Sequence, residues 1–259
     1  MTPNAEPDME QEADVWEIYS AIQGEGLCVG ERHVFLRLAG CNLDCRFCDT
    51  PARGGSRAAC AVERNPGAGD FRPRSNPVGV GDALEAVLRL LRGSPPAVRV
   101  SLTGGEPLMA VGFVEALARA LKERGVGTHL ETNGTLAAEM NLVRDLVEWV
   151  AMDMKLPSSA GVEPLWERHD AFLRAARGTS VFVKIVVTPG TLESDVATAA
   201  RAVAGVDRTI PLVLQPVTPA REIAGAPRPE QMRTFESIAT KYLENVRVIP
   251  QVHRILGER

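Results

Sequence analysis

The sequence predicts a single α/β domain built around a mostly parallel sheet. From Gly79 to the C-terminus, short apolar stretches rich in β-branched residues alternate with stretches of helical periodicity, a pattern typical of βαβ units. The 259 residues are enough for one such domain with a full core and too few for two. This periodicity alone does not distinguish an open, doubly wound sheet from a partial barrel.

The N-terminal part is predicted to hold a tail and two strands. Residues 1–14 are acidic and offer almost nothing to bury, which predicts a disordered tail and a domain spanning residues 15–259. Val15–Tyr19 alternates apolar and polar side chains, which predicts a strand ending at the loop Gln23–Gly26. His33–Leu38 is predicted to be a second strand.

The middle of the chain contains an irregular stretch, followed by regular alternation. Residues 51–77 are rich in glycine, proline and arginine, and we interpret them as a solvated insertion beside the site. A helix follows, carrying apolar residues at Leu84, Val87, Leu88 and Leu91. The later strands are predicted at Ala97–Leu102, Val126–Leu130, Trp149–Met154, Val181–Val187, Pro211–Leu214 and Val246–Ile249. The later helices are predicted at Val111–Arg124, Ala137–Glu148, Pro164–Ala176, Leu192–Val203 and Pro229–Leu243.

Polar side chains follow most of the predicted strands. Because active sites of parallel α/β proteins are built from the loops at the carboxyl ends of strands, these groups should converge on one rim. They lie at Thr103–Glu106, Glu131–Gly134, Asp153–Lys155, Thr188 and Gln215–Pro216.

Three cysteines, Cys41, Cys45 and Cys48, form a C-x3-C-x2-C loop. Thiolates are soft ligands that select zinc or iron–sulfur clusters. A structural zinc site needs four protein ligands and a four-iron cluster normally takes four cysteines, so three leave one coordination position open. One interpretation is a zinc knuckle completed by His33 or a distant residue. The other is a cluster whose fourth iron binds a small molecule.

The cysteine loop, followed one βα unit later by Thr103-Gly104-Gly105-Glu106-Pro107, resembles the radical S-adenosylmethionine (SAM) superfamily. The resemblance implies a partial (β/α)6 barrel and a [4Fe–4S] cluster that cleaves SAM to a 5′-deoxyadenosyl radical. Without the cysteines, the Gly-Gly-Glu-Pro segment would be read as a strand-to-helix turn. The resemblance implies that SAM contacts Gly104, Gly105, Glu106, Thr132, Asn133, Asp153, Lys155, Gln215, Pro216, Val217 and Thr218.

A further set of segments resembles the 7-carboxy-7-deazaguanine synthase family. They are Ile22–Gly26, Phe35–Cys41, Cys48–Thr50, Leu214–Pro216 and Val248–His253. This resemblance implies a lyase that converts 6-carboxy-5,6,7,8-tetrahydropterin to 7-carboxy-7-deazaguanine with loss of ammonia, in the biosynthesis of queuosine and related 7-deazapurines. The implied substrate contacts are Ile22, Gln23, Gly24, Glu25, Arg37, Thr103 and, through the terminal carboxylate, Arg259.

The same resemblance implies a magnesium ion on the hydroxyl of Thr50, a flavodoxin or ferredoxin as electron donor, and a homodimer. Magnesium keeps several waters and usually takes few protein ligands, so one threonine is chemically reasonable. Without the resemblance, Thr50 would be read as a turn residue, Arg37 as an outward-facing strand residue and Glu25 as a solvated loop carboxylate.

Composition and charge exclude several classes of partner. A formal net charge of -4 gives no electrostatic basis for binding nucleic acid or an anionic membrane. No apolar run is long enough to span a bilayer and the acidic start lacks a signal peptide's features, so a cytoplasmic protein is expected. Cys28 and Cys60 lie outside any metal-spaced group and are expected to be free thiols.

Two alternative functions remain at this stage. A glycyl-radical activating enzyme would share the cluster and the SAM contacts, but the pterin-directed set of Gln23, Glu25 and Arg37 argues against it. A non-catalytic zinc-binding scaffold would use the cysteines without SAM. The colour of the protein separates these classes, because an iron–sulfur cluster is brown and zinc is colourless.

Overall fold

The computed structural model describes residues 7–55, 57–93 and 98–258. The strands are β1 (Glu12–Ala13), β2 (Val15–Ile22), β3 (Arg32–Leu38), β4 (Ala59–Glu63), β5 (Phe71–Ser75), β6 (Val78–Gly79), β7 (Arg99–Gly104), β8 (Thr128–Thr132), β9 (Trp149–Asp153), β10 (Ser180–Val187), β11 (Leu212–Pro216) and β12 (Val246–Val248). The helices are α1 (Val80–Arg92), α2 (Val111–Lys122), α3 (Ala137–Val143), α4 (Pro157–Ala160), α5 (Trp166–Ala175), α6 (Glu193–Val206), α7 (Pro229–Ala239) and α8 (Val252–Leu256).

Ten strands form one sheet in the order β12-β11-β10-β9-β8-β7-β3-β2-β4-β5. From β3 to β12 neighbouring strands are parallel, and the connections carry helices on one face, as right-handed βαβ units require. The predicted α/β class and the partial barrel are confirmed: six βα units begin with β3, β7, β8, β9, β10 and β11, and the sheet does not close.

The helices are held against the sheet by their apolar faces. In α2, Phe113, Val114, Leu117 and Leu121 recur at helical spacing and are fully buried or nearly so. They join a core cluster that includes the apolar side chains of β7 and β8, such as Leu102 and Leu130. This packing covers the outer face of the sheet and leaves the inner face free to form a site.

The N-terminal region differs from the prediction. Residues 1–6 of the expected tail lie outside the described residues, but Glu12–Ala13 pairs in antiparallel fashion with Val78–Gly79. The Val80 amide also donates to the carbonyl of Gln11 over 3.0 Å. A tail ending at residue 14 is therefore too long, because backbone pairing fixes a segment whose side chains gave no sign of burial.

The Gly/Pro-rich stretch 51–77 is also more regular than expected. Ala59–Glu63 and Phe71–Ser75 pair in antiparallel fashion and extend the sheet beyond β2. Their apolar periodicity is weak because β5 is an edge strand, where a residue such as Pro73 is tolerated.

The remaining boundaries differ by a few residues. The predicted helix from Ala137 to Glu148 ends at Val143, since the Glu148 amide already bonds to the Thr128 carbonyl beside β8. The predicted strand start at Ala97 lies outside the described residues. Within the described ranges, no helix combines the length and apolar character that crossing a membrane requires.

Candidate active site

A cavity of about 530 Å³ opens at the carboxyl ends of the parallel strands. Its wall combines strand ends, the cysteine loop and the C-terminal helix. The predicted residues that line it are Ile22, Gln23, Gly24, Glu25, Arg37, Cys41, Cys45, Cys48, Thr50, Thr103, Gly104, Gly105, Thr132, Asn133, Asp153, Lys155, Gln215, Val217 and Thr218. Glu106 and Pro216 do not line it, and Arg259 lies outside the described residues.

The Gly-Gly-Glu segment holds the start of the cysteine loop through its backbone. The Gly105 amide donates to the Leu38 carbonyl over 3.2 Å, and the Glu106 amide donates to the Gly40 carbonyl over 2.8 Å. A Cβ atom on Gly105 would lie only 1.9 Å from the Gly40 carbonyl oxygen. Glycine is therefore needed here for the close contact between two backbone segments, in addition to any contact with a ligand.

The three cysteines of the loop all reach the cavity wall. Cys45 is buried, Cys41 and Cys48 are partly exposed, and burial raises the pKa of the Cys45 thiol to about 11. Among the described residues, their sulfurs do not form a set within 4.8 Å of one another. Tetrahedral zinc with bonds of about 2.3 Å would bring ligand sulfurs to about 3.8 Å. The three sulfurs are therefore spread more widely than the ligands of one zinc ion would be.

Asn133 supports the loop from the neighbouring strand end. Its Nδ2 donates to Asn42 Oδ1 over 2.7 Å, and the Asn42 amide in turn donates to the Thr135 hydroxyl over 2.9 Å. Asn133 and Thr135 are buried, and their bonds to the exposed Asn42 define the position of the residue that follows Cys41.

Glu106 lies behind the residues that line the cavity, and both oxygens of its carboxylate accept hydrogen bonds. Oε1 accepts from the Leu108 amide at 3.0 Å and the Thr132 hydroxyl at 2.8 Å, and Oε2 accepts from the Asn133 amide at 2.7 Å. Burial raises the pKa of Glu106 to about 7, against the effect of these hydrogen bonds. Glu106 thus fixes two residues that line the cavity, and its expected contact with the SAM ammonium stays a prediction.

Four partly buried charged side chains form a network on the wall. Asp153 Oδ2 lies 2.9 Å from Lys155 Nζ and 3.0 Å from Lys184 Nζ, and Lys184 also pairs with Glu25. Burial acts to raise the pKa of Glu25, but the Lys184 ammonium and the Gln251 amide outweigh it and lower the pKa. The two ammonium groups likewise keep the pKa of Asp153 below its ordinary value despite burial. Charged forms are favoured throughout the network.

Two acceptor atoms on the wall are left without a partner. Asp153 Oδ1 and Gln215 Oε1 are buried, and neither has a hydrogen-bond partner among the described residues. Buried acceptors are normally satisfied, so these atoms fit a ligand that carries ammonium or hydroxyl donors. SAM carries both kinds of donor, and these residues therefore fit it.

Sequence reasoning missed Lys184 as a site residue, and it placed Glu131 among the polar strand ends without assigning it a contact. Glu131 Oε1 accepts from Gln23 Nε2 over 2.7 Å, and its Oε2 accepts from the Thr103 hydroxyl over 2.9 Å. The signal for Lys184 was present, because it is the one charged residue in the apolar strand Ser180–Val187. Glu131 directly precedes two predicted contacts, but nothing local separated it from an ordinary strand residue.

The C-terminal segment closes one side of the cavity. Gln251 Nε2 donates to Glu25 Oε1 over 2.7 Å, and Arg254 pairs with Asp49 over 2.7 Å, next to the cluster loop. His253 and Glu258 also line the cavity. This places the chain end beside the site, although the predicted contact of Arg259 remains a prediction.

Comparison with known proteins agrees with this geometry. Residues 36–203 match the model of the Radical SAM superfamily. The chain is 40% identical over 248 residues to a 7-carboxy-7-deazaguanine synthase of Geobacter sulfurreducens, covering 95% of this chain and 98% of the relative. It is 35% identical over 267 residues to the synthase of Methanothermobacter thermautotrophicus, with the same coverage of 95% and 98%.

The fold also matches a solved structure. The crystal structure of QueE from Escherichia coli aligns with a TM-score of 0.61 at 21% identity, over 96% of this chain and 99% of that one. The chain thus belongs to the radical SAM superfamily and, within it, to the family of 7-carboxy-7-deazaguanine synthases.

Proposed function

We propose that this protein is a radical SAM lyase that converts 6-carboxy-5,6,7,8-tetrahydropterin to 7-carboxy-7-deazaguanine with loss of ammonia. The observation that carries the proposal is that the cysteine loop shares one cavity with Gln23, Glu25 and Arg37. The identity to curated synthases over nearly the whole chain supports the same reaction. A glycyl-radical activating enzyme would instead need to admit a protein segment, and the C-terminal helix closes one side of this cavity.

Cys41, Cys45 and Cys48 are the proposed ligands of the [4Fe–4S] cluster. When bound, the cluster supplies the electron that generates the radical from SAM. The chain itself keeps Cys45 out of water and, through Asn133 and Asn42, holds the loop in place. Because burial raises the pKa of the Cys41 and Cys45 thiols and so opposes their thiolate form, cluster binding must release protons from these two cysteines.

The SAM site is proposed to lie between the Gly-Gly segment and the charged network. Gly104 and Gly105 allow close backbone approach, Lys155 offers an ammonium to the SAM carboxylate, and Asp153 Oδ1 and Gln215 Oε1 offer free acceptors. The proposed set of SAM contacts is completed by Thr132, Asn133, Val217, Thr218 and Pro216. Pro216 does not line the cavity and would act through its neighbours.

The pterin is proposed to bind beside the SAM site, on the part of the cavity wall that carries Gln23, Glu25 and Arg37. Gln23 and Glu25 would contact the donor edge of the heterocycle, and Arg37 would bind the carboxylate or a ring oxygen. Ile22, Gly24 and Thr103 complete this part of the wall. These residues would hold the substrate in one orientation, and SAM, when bound, would supply the radical that abstracts the C6 hydrogen.

Magnesium is proposed to bind the Thr50 hydroxyl together with substrate oxygens. Thr50 lies on the cavity wall one residue beyond Asp49, whose carboxylate is taken up by Arg254 and Gln251. The ion would hold the substrate carboxylate as a template. We also propose a homodimer, a flavodoxin or ferredoxin as reductant and a cytoplasmic location, where a reducing environment preserves the cluster thiolates.

The proposed function is tested with anaerobically reconstituted protein, SAM, dithionite, magnesium and substrate deuterated at C6. We expect 7-carboxy-7-deazaguanine and ammonia in the product mixture, with deuterium on the 5′ carbon of deoxyadenosine or SAM. Deuterium transfer without formation of the deazaguanine would support the radical chemistry but reject the proposed conversion of this substrate to that product. Neither signal, from protein with an intact cluster, would reject the proposal.

A further inference from the structure

A line of polar side chains crosses the interior of the sheet from the surface to the cavity. His33 on β3, Ser101 on β7 and His129 on β8 occupy three adjacent strands, and all are at most 1% exposed. At its outer end lies Glu31, whose side chain is 43% exposed. At its inner end lies Glu131, two residues after His129 and therefore on the same face of β8.

Consecutive groups in this line lie within or near hydrogen-bond distance. Glu31 Oε2 is 3.4 Å from His33 Nε2, and His33 Nδ1 is 2.7 Å from Ser101 Oγ. Ser101 Oγ is 3.1 Å from His129 Nδ1, and that nitrogen is 3.6 Å from Glu131 Oε1. Only the last gap needs a small movement before a proton can cross it.

We propose that His33, Ser101 and His129 form a proton-transfer chain that connects solvent at Glu31 with the carboxylate of Glu131 in the cavity. The proposal rests on the proposed function, since loss of ammonia is the step that uses the proton. As the carbon–nitrogen bond breaks, its electron pair stays on the departing amino group, which takes up one proton and leaves as ammonia. The ring loses one carbon-bound proton to water as it becomes aromatic. Glu131 donates that proton, and the chain returns one from solvent.

In each turnover one proton enters the chain from solvent and one proton leaves it at Glu131. His33 accepts a proton at Nε2 and releases the one at Nδ1 to Ser101. The serine releases its own hydroxyl proton to His129 Nδ1, and His129 passes it to Glu131. Rotation of the serine hydroxyl and exchange at His33 then restore the starting state.

The state of both rings agrees with this role. Burial lowers the pKa of His33, and it lowers the pKa of His129 to about 4. A neutral His33 can accept a proton at Nε2 and release one at Nδ1. A neutral His129 with its own proton on Nε2 has a lone pair on Nδ1, which accepts the proton from Ser101 and then releases that same proton to Glu131. His129 Nε2 has no hydrogen-bond partner among the described residues, so the Nδ1 side carries the polar contacts of that ring.

The charged groups around Glu31, at the outer end of the chain, favour proton transfer into the protein over metal binding. Arg99 pairs with Glu31 and also with Glu148, at 3.3 Å, and burial raises the pKa of the nearby Cys28 thiol to about 11. Cys28, Glu31 and His33 have ligand atoms within 4.8 Å of one another, as a metal site would. The Arg99 cation on Glu31 disfavours a second cation there, and the hydrogen bond from His33 onward to Ser101 leads into the protein.

The test compares Ser101→Ala with Ser20→Ala in reconstituted holoenzyme. Ser101→Ala removes the single hydroxyl that joins the two histidines. Ser20→Ala removes another buried serine hydroxyl of the same sheet that lies outside the chain and does not line the cavity. Two rates are followed with the C6-deuterated substrate: deuterium transfer to the 5′ carbon, and formation of the deazaguanine with ammonium.

We expect Ser101→Ala to keep deuterium transfer within about twofold of Ser20→Ala and to form product at least about tenfold more slowly, as for loss of a general acid. Equal product rates in the two variants would overturn the chain, as would a parallel loss of both rates in Ser101→Ala. If Ser101→Ala does not take up the cluster, His33→Gln provides the same comparison, because an amide keeps the hydrogen bonds without relaying a proton. No product from the unchanged protein would reject the proposed function itself.

Discussion

The guanidinium of Arg37 is bound by the carboxylate of Glu17, with 2.9 Å between Nε and Oε1. A second nitrogen, Nη2, donates to the Tyr19 hydroxyl over 2.9 Å. The two partners come from the antiparallel neighbour β2, and the stacked rings of Tyr19 and Phe35 pack beside them. Arg37 is therefore held in one orientation before any substrate arrives, with its remaining N–H groups available to the cavity.

Arg37→Lys should raise KM for the pterin about tenfold, equivalent to about 1.4 kcal/mol of binding free energy. A lysine cannot bond to Glu17 and Tyr19 while also presenting two donors to a ligand. Steady-state kinetics with 6-carboxytetrahydropterin measure the change. Arg32→Lys, on the same strand but away from the cavity, is the matched control and should leave KM unchanged. An unaltered KM in Arg37→Lys would argue against substrate binding at this residue.

Glu106 should make stability depend on pH. Its pKa rises from an ordinary 4.5 to about 7 in the folded chain because it is buried. The folded state therefore binds more protons than the unfolded chain between these values, and stability should fall as pH increases across this window. Glu106→Gln should flatten that slope in thermal melts, whereas Glu193→Gln, on an exposed helical position, should not. The same slope in wild type and Glu106→Gln would contradict the raised pKa.

Cys45→Ala should abolish both the brown absorbance of the cluster and SAM cleavage, since two cysteines cannot hold a site-differentiated cluster. Iron content and 5′-deoxyadenosine formation measure the two losses. Cys60→Ala removes a thiol that is equally buried but lies in β4, away from the cavity, and should retain both signals. A colourless wild-type protein containing stoichiometric zinc would instead favour the scaffold interpretation.

Thr50→Ala should leave SAM cleavage in place and weaken the magnesium dependence of turnover. The hydroxyl is the proposed protein ligand of the ion, whereas the cluster and SAM contacts lie on other residues. A magnesium titration of product formation should show half-saturation at least about tenfold higher, as losing one direct ligand in a site with few protein ligands implies. Thr198→Ala, on the exposed face of α6, serves as the control. Equal loss of cleavage and turnover in Thr50→Ala would show that the two roles are not separate.

About half of the residues that line the cavity were predicted from the sequence, because their residue types and spacing can be recognised within short segments. The spacing of Cys41, Cys45 and Cys48 lies within an eight-residue segment, and Gly104 and Gly105 mark a close backbone contact. The sequence could not show which way each side chain points in the folded protein. Glu106 sits in a site motif yet points beneath the wall, because three donors from Leu108, Thr132 and Asn133 converge there.

By itself the sequence determined the α/β class, the alternating order of elements and the metal-binding loop, since hydrophobic periodicity and cysteine spacing act over short stretches of chain. Only the tertiary structure decided that residues 59–75 extend the sheet. It also decided that Lys184 forms ion pairs with both Glu25 and Asp153, and that Glu131 accepts hydrogen bonds from Gln23 and Thr103. These contacts join residues that are far apart in the chain, and backbone pairing and buried charge pairing depend on what folding brings alongside. The polar line from Glu31 to Glu131 has the same origin, because three neighbouring strands each contribute part of it.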